Sequence, residues 1–300
     1  MNRLQLTPDF SISRIVHGHW RLTDWNLNPQ ELLRLAKEAE ALGITTIDHA
    51  AIYGDYSCEK KFGAALQLDP SFRDKIEIVT KCGLNLLSEK YPTRTVKHYD
   101  FSYEHIVSSA ENSLIQLGIE QIDVLLLHRP SPLYNPHEVA RAFTDLKNAG
   151  KIAHFGVSNF TAQQFSTLNS FLNEKLVTNQ LEISPYQLEH IENGNCDFLL
   201  QNAIKPMAWS PLAGGKLMTG MDEKSVRIRK ALTAIAQQKS VLSLETIAYA
   251  WLLKHQVGIA PIVGSGKIDR LKQATAALSV ELSTEEWFVI YEAITGKSVA

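Results

Sequence analysis

A chain of 300 residues, 45% of them hydrophobic, holds ample material for one large core. Its formal charge of -2 gives no electrostatic reason to expect nucleic acid or an anionic membrane as a partner. The opening segment MNRLQLTPDFSIS has no apolar h-region, no apolar run is long enough to span a bilayer, and Cys58, Cys82 and Cys196 form no short motif, so a cytoplasmic protein with reduced thiols is expected.

Short apolar runs alternate with longer amphipathic ones along nearly the whole chain. RIVHG (14–18) is a first strand, followed by a helix over 29–43 whose Leu32, Leu33, Leu35, Ala36, Ala39 and Leu42 repeat near 3.6 residues. Pro29 suits its first turn and Gly43 its end. ITTID, rich in β-branched residues, is a second strand. The helix on SCEKKFGAALQL follows, with Ser57 as expected N-cap. KIEIVTK (75–81) and QIDVLLLHRP (121–130) are strands separated by a helix that Ser102 introduces. Strands are expected again at 152–159, 177–184, 204–212 and 258–265, with helices after each and two helical segments near 224–239 and 244–256.

Eight strands that lack clean apolar/polar alternation, each followed by helix, predict a parallel sheet buried on both faces and closed as a (β/α)8 TIM barrel. A doubly wound sheet is the alternative, but no G-x-G-x-x-G turn follows the first strand. No linker or charge run divides the chain, so 1–300 is read as a single domain. LQLTPDFSIS is expected to form a hairpin plugging the barrel bottom, and 284–293 an added C-terminal helix.

Chemistry in such a barrel gathers where the strands end. Those ends carry Asp48, Lys81, His128, Ser158-Asn159, Gln180, Trp209-Ser210 and Gly264-Ser265, with Tyr53 in the loop after Asp48. A phenol with an ordinary pKa near ~10 is a weak acid at neutral pH. A lysine ammonium beside it stabilises its conjugate base, a carboxylate holds that lysine charged, and a histidine orients a carbonyl oxygen. Taken singly, Lys81 reads equally well as a snorkelling strand-end lysine and Tyr53 as a packed aromatic.

GITTIDHAAIYG, IVTK, LLLHRP, GVSNF and NQLE, in this order, resemble the aldo-keto reductase superfamily, and DHA, HRP and MAWSPLAGG are most similar to bacterial oxidoreductases of the YdhF type. The resemblance implies an NADPH-dependent carbonyl reductase. It assigns Asp48, Tyr53, Lys81 and His128 to a catalytic tetrad with Tyr53 as general acid. It gives Ser158, Asn159 and Gln180 to the nicotinamide carboxamide, Trp209 to ring stacking, Ser210 and Leu212 to the pyrophosphate, and Ser265 and Arg270 to the adenosine end. Trp20 is implied as a substrate wall. The chain departs from the family at His49, where Thr or Ser is frequent, at Gly264, where a lysine is frequent, and at Gln273 and Ala274. Lys267 and Arg270, three apart on one side of a helix, are expected together to replace the missing lysine and secure NADPH over NADH, and His49, with His17 and His19, to make the substrate pocket more polar. Trp25, Tyr56 and the 84–101 loop are further candidate walls.

Two alternatives stand beside this reading. HGHW places two histidines at the end of the first strand, as metal-dependent barrel hydrolases do, but no acid ends the last strand and no metal is expected. Potassium-channel β subunits share the resemblance, so a nicotinamide-binding partner protein with little turnover is the alternative to an enzyme. The substrate, a small carbonyl compound, and the oligomeric state are not legible.

Overall fold

The computed structural model describes residues 3–300 of the chain. The strands β1 (Val16–Gly18), β2 (Thr46–Asp48), β3 (Glu77–Cys82), β4 (Ile122–Leu127), β5 (Ile152–Ser158), β6 (Asn179–Glu182), β7 (Met207–Trp209) and β8 (Ala260–Val263) form a closed barrel. Each pairs in parallel with its neighbours in sequence, and β8 closes on β1 through Ile262–Val16 and Val263–His17. The expected (β/α)8 barrel is therefore the fold. Around it run α1 (Pro29–Ala41), α2 (Cys58–Leu66), α3 (Tyr103–Leu117), α4 (Pro136–Asn148), α5 (Ala162–Asn169), α6 (Asn195–Gln201), α7 (Glu223–Gln238), α8 (Leu244–Lys254), α9 (Ile268–Ala276) and the C-terminal α10 (Thr284–Thr295).

Local chemistry starts and stops these helices. Asn28 and Glu31 form a reciprocal capping box at α1, with Pro29 at its first position; Thr161 with Gln164 and Ser283 with Glu286 do the same for α5 and α10. Ser102 caps α3 by accepting from the His105 amide, and Gly118 ends that helix in the left-handed region. Ser57 does not cap α2 as expected. Its hydroxyl donates to the Gly54 carbonyl instead, because Gly54, Asp55 and Tyr56 all take positive φ and curl the chain back on itself.

Alternation along the strands decides what the barrel encloses. Val16, Val79, Val124, Leu126, Met207, Ala260 and Ile262 share one buried cluster inside it, while Ile47, Ile78, Leu125, Leu127, Ala208 and Val263 pack outward against the helices. The N-terminal hairpin pairs Arg3–Gln5 with Ser11–Ser13 and inserts Leu4 and Ile12 into the interior cluster, closing the bottom as expected. Ser13 and Thr46 exchange hydrogen bonds at 2.8 and 3.0 Å, and Arg3 pairs with Glu77 at 2.5 Å, so the plug is bolted to β2 and β3 by polar groups that leave none of their own buried partners unmet. Opposite the plug, the barrel opens.

Candidate active site

The same alternation that sends Val79 inward sends Lys81 inward, two residues on. Val16, Leu126 and Met207 likewise fix Gly18, His128 and Trp209 as inward residues, and Ile47, facing out, fixes Asp48 as inward. Lys81 Nζ lies 2.8 Å from both oxygens of Asp48, 2.7 Å from the His49 carbonyl oxygen and 3.1 Å from the Tyr53 hydroxyl. The Lys81 and Asp48 side chains are 0% and 3% exposed, so neither ion has water to turn to. Gln180 Nε2 donates to Asp48 Oδ1 at 2.7 Å, completing the carboxylate's shell from the far side of the barrel. The His128 ring stands edge-on to Tyr53 with centroids 5.9 Å apart.

Burial lowers the Lys81 ammonium, opposed by Asp48 and Glu59. The Tyr53 phenol is raised well above its usual value by burial first and then by Asp48 and Cys58; Arg129 works against the rise. That corrects the expectation that Lys81 would make the free phenol a stronger acid. The ammonium is matched by a carboxylate at contact distance, so the phenol feels an ion pair more than a cation. Tyr53 is thus fully protonated at neutral pH. His128 is lowered well below its usual value by burial, then by Lys81, Arg129 and Lys97, and is neutral. Its Nδ1 is buried with no hydrogen-bond partner among the described residues, and the ring lines the cavity.

The cavity measures about 660 Å³ and runs from Trp20, Ile52, Tyr53 and His128 past Ser158, Asn159, Gln180 and Trp209 to Ser265, Arg270 and Gln273. Asn159 sits at φ 63°, where its amide donates to the Ser158 hydroxyl and the His128 carbonyl and its oxygen accepts from Trp209 Nε1 at 3.0 Å. Ser158 and Asn159 therefore brace the site; Thr161 caps the helix that follows. On the loop after β7, Ser210, Ala213, Gly214 and Gly215 all have positive φ. Such a run of left-handed backbone beside a cavity is a concavity suited to an anion, and non-glycine residues hold it only when the surroundings enforce it. Leu212 and Gly264 line the same channel, and a Cβ on Gly18 would meet Ile262 at 2.6 Å, so glycine keeps the floor open.

A cavity of this size lined by a polar amide cluster, an indole, left-handed backbone and Arg270 has groups suited to the parts of a dinucleotide. Ser265 is engaged through its own backbone and hydroxyl: its carbonyl accepts from His17, and its Oγ from the Lys267 amide at 3.2 Å. Lys267 itself is exposed, outside the channel lining, because it stands at the N-cap of α9, where its side chain leaves the helix face that Arg270 and Gln273 share. Ala274, one position past Gln273, is core.

His49 is not a pocket residue. It follows inward-facing Asp48 and so points outward, fully buried against Phe62 of α2. His17 and His19 face outward with it, against Trp25. The Ser265 carbonyl can only accept, so His17 donates from Nε2 at 2.9 Å and its Nδ1 accepts from His19 Nε2 at 3.4 Å. His19 Nδ1 in turn accepts from His49 Nε2 at 2.9 Å, leaving His49 Nδ1 as a buried acceptor without a partner. Desolvation lowers His17 to about 4 and His49 to about 3, so this is a file of neutral rings. Among the described residues, no cluster of three or more His, Cys, Asp or Glu is arranged to hold a metal ion.

Trp25 belongs to that histidine layer, and Tyr56 braces the 84–101 loop through Leu86 and Arg94; neither lines the cavity. Trp20, 55% exposed, does. The 84–101 loop contributes Leu84 and Lys97 to the lining, as expected, while sequence reasoning passed over Arg21, Arg129, Glu245 and Tyr249, which also line it. Arg129 had a signal, being the residue after a strand-end histidine; the others lie on loops or helices without a motif.

The model of the Aldo/keto reductase family matches residues 14–294. The chain is 48% identical to the uncharacterized oxidoreductase YcsN of Bacillus subtilis (strain 168), with all of both chains covered. It is 44% identical to the oxidoreductase YdhF of Escherichia coli (strain K12), over 97% of this chain and 96% of that one. It is 39% identical, over the whole of both chains, to the 6-dehydroglucose reductase of Agrobacterium fabrum. A closed barrel that brings Asp48, Tyr53 and His128 to one cavity with Lys81 buried against them, and these likenesses along its full length, place the chain in the aldo/keto reductase family.

Proposed function

We propose that this protein is a cytoplasmic oxidoreductase, acting as one domain, that reduces a small aldehyde or ketone to the alcohol with NADPH. What supports it most is the Tyr53 hydroxyl, on the cavity wall and 3.1 Å from a buried lysine that Asp48 holds charged. Bound NADPH would supply a hydride to the carbonyl carbon. The chain's own residues handle the oxygen. His128, neutral, offers an Nε2–H to orient the carbonyl. Tyr53 gives its proton as charge builds there; a high phenol pKa does not prevent this, since an alkoxide is a far stronger base than a phenolate. Lys81 then faces the phenolate at hydrogen-bond distance, and the charge that Tyr53 takes on is met without moving any group.

Trp209 would stack on the nicotinamide, with Ser158, Asn159 and Gln180 at its carboxamide. The Ser210–Gly215 backbone and Leu212 would follow the pyrophosphate, and Gly264, Ser265 and Arg270 the adenosine 2′-phosphate. The relative named for 6-dehydroglucose reduction supports a small polar carbonyl substrate, and three buried free cysteines suit a reducing compartment. The test is NADPH oxidation, followed by absorbance, with a panel of aldehydes, ketones and quinones. Turnover of carbonyl compounds is expected; tight cofactor binding with no turnover across the panel would favour a nicotinamide-binding partner protein instead.

A further inference from the structure

Near His128 two cations of the cavity lining, Arg129 and Lys97, stand without a counter-ion among the described residues. Arg129 follows His128, lines the cavity and lies over the Trp209 ring at 5.5 Å, yet it makes no hydrogen bond or ion pair among the described residues. Glu182, whose carboxyl it influences, is outside the cavity lining and forms no ion pair with it. Lys97 lines the mouth and is likewise unpaired among the described residues. It is not on a loose loop. Leu84–Asn85 and His98–Tyr99 pair as strands, Arg94 stacks on Tyr91 at 3.7 Å, and the Tyr56 hydroxyl accepts from Arg94 at 2.6 Å and from the Leu86 amide at 2.8 Å.

The acidic groups of the cavity are elsewhere or already matched. Asp48 is paired with Lys81, and Glu245 accepts from the Ser243 hydroxyl and, like Arg270, acts on Tyr249. A half-buried guanidinium with no partner is costly unless a ligand supplies one, and its planar fork matches a carboxylate. Resting on the reading of this cavity as a carbonyl-reducing site, we propose that the substrate carries an anionic group, a carboxylate or its like, and that Arg129 is the residue that selects it, with Lys97 attracting it at the mouth.

The experiment compares 4-carboxybenzaldehyde with its methyl ester, two aldehydes of similar reactivity that differ in charge. Wild type is expected to favour the acid in kcat/KM, and Arg129→Met to cut that acid-to-ester ratio by about ten- to a hundredfold, the range for a charge-assisted hydrogen bond. Arg129→Lys should keep part of the ratio, and Lys97→Met should lower it less, with an effect that fades as salt is added. A wild-type ratio of one or below, or a ratio unchanged in Arg129→Met, overturns the proposal. A second arm is independent of turnover. Quenching of tryptophan fluorescence, with Trp20 and Trp209 in the cavity, is titrated with 4-(hydroxymethyl)benzoate and its methyl ester in the presence of NADPH. Tighter binding of the anion in wild type, lost in Arg129→Met, sustains the anion site even if no aldehyde is reduced; equal binding of the two rejects it even if many are.

Discussion

Lys81 Nζ and the two carboxylate oxygens of Asp48 meet at 2.8 Å in a place that water does not reach. Each ion is there because the other is. Lys81→Met leaves Asp48 buried with a single amide partner, and unpairing a buried ion costs about 3–5 kcal/mol. Urea unfolding should show a loss of that size. Adding Asp48→Asn to the same chain should return most of the stability and none of the carbonyl reduction. A folded Lys81→Met protein with full activity would show the pair to be structural only.

Tyr53→Phe removes one hydroxyl from the cavity wall and nothing from the core. Fold and cofactor affinity are expected to persist, and turnover to fall by about 10²–10⁴-fold, the usual contribution of general acid catalysis. Near-wild-type turnover in that variant would take the proton from another group.

Arg270 faces the channel and Lys267 does not. Arg270→Ala should weaken NADPH by about ten- to a hundredfold and leave NADH nearly untouched, since only the former has a 2′-phosphate for the guanidinium. Lys267→Ala should leave both affinities close to wild type. Fluorescence titration of the two cofactors decides it, and equal loss of both in Arg270→Ala would count against an NADPH preference.

Acid should loosen the histidine layer behind the site. His17 and His49 are lowered to about 4 and about 3, and His19 and His128 well below their ordinary value. Between the unfolded value near ~6.5 and these, the unfolded chain binds protons that the folded chain refuses, so stability rises with pH there and is lost as pH falls. Each such histidine contributes at most about 1.4 kcal/mol per pH unit within its window. Denaturant unfolding at pH 7.5, 6.5 and 5.5, the last still above the carboxylate range, should show a falling free energy. His17→Gln, which keeps a donor for the Ser265 carbonyl, should flatten the fall; an unchanged slope in that variant would mean these rings do not control it.

The barrel was legible because its periodicity is local. Eight apolar runs and the helices between them follow from local apolar patterns that the chain carries everywhere, and Pro29 and Ser102 mark helix starts by their own chemistry. Ser57 had the same chemistry, yet three left-handed residues before it redirected its hydroxyl. That Asp48, Lys81 and His128 end strands, with Tyr53 in the loop after Asp48, was legible from the same pattern.

What lay beyond the sequence was direction. Asp48 and His49 are adjacent, equally polar and equally plausible in a pocket; only the pleat of a closed barrel turns one inward to Lys81 and the other outward to His19. Lys267 and Arg270 are both cations near Ser265, and the start of α9 decides which of them sees the channel. Arg129 and Lys97 come from segments about thirty residues apart, and nothing in either segment announces that they share a cavity wall. The sequence by itself determined the elements, their order and the residue types at the strand ends, because those depend on neighbours along the chain. Tertiary structure alone decided which charges are paired and which are left over, because pairing depends on the few ångströms between side chains that the closing of the barrel sets.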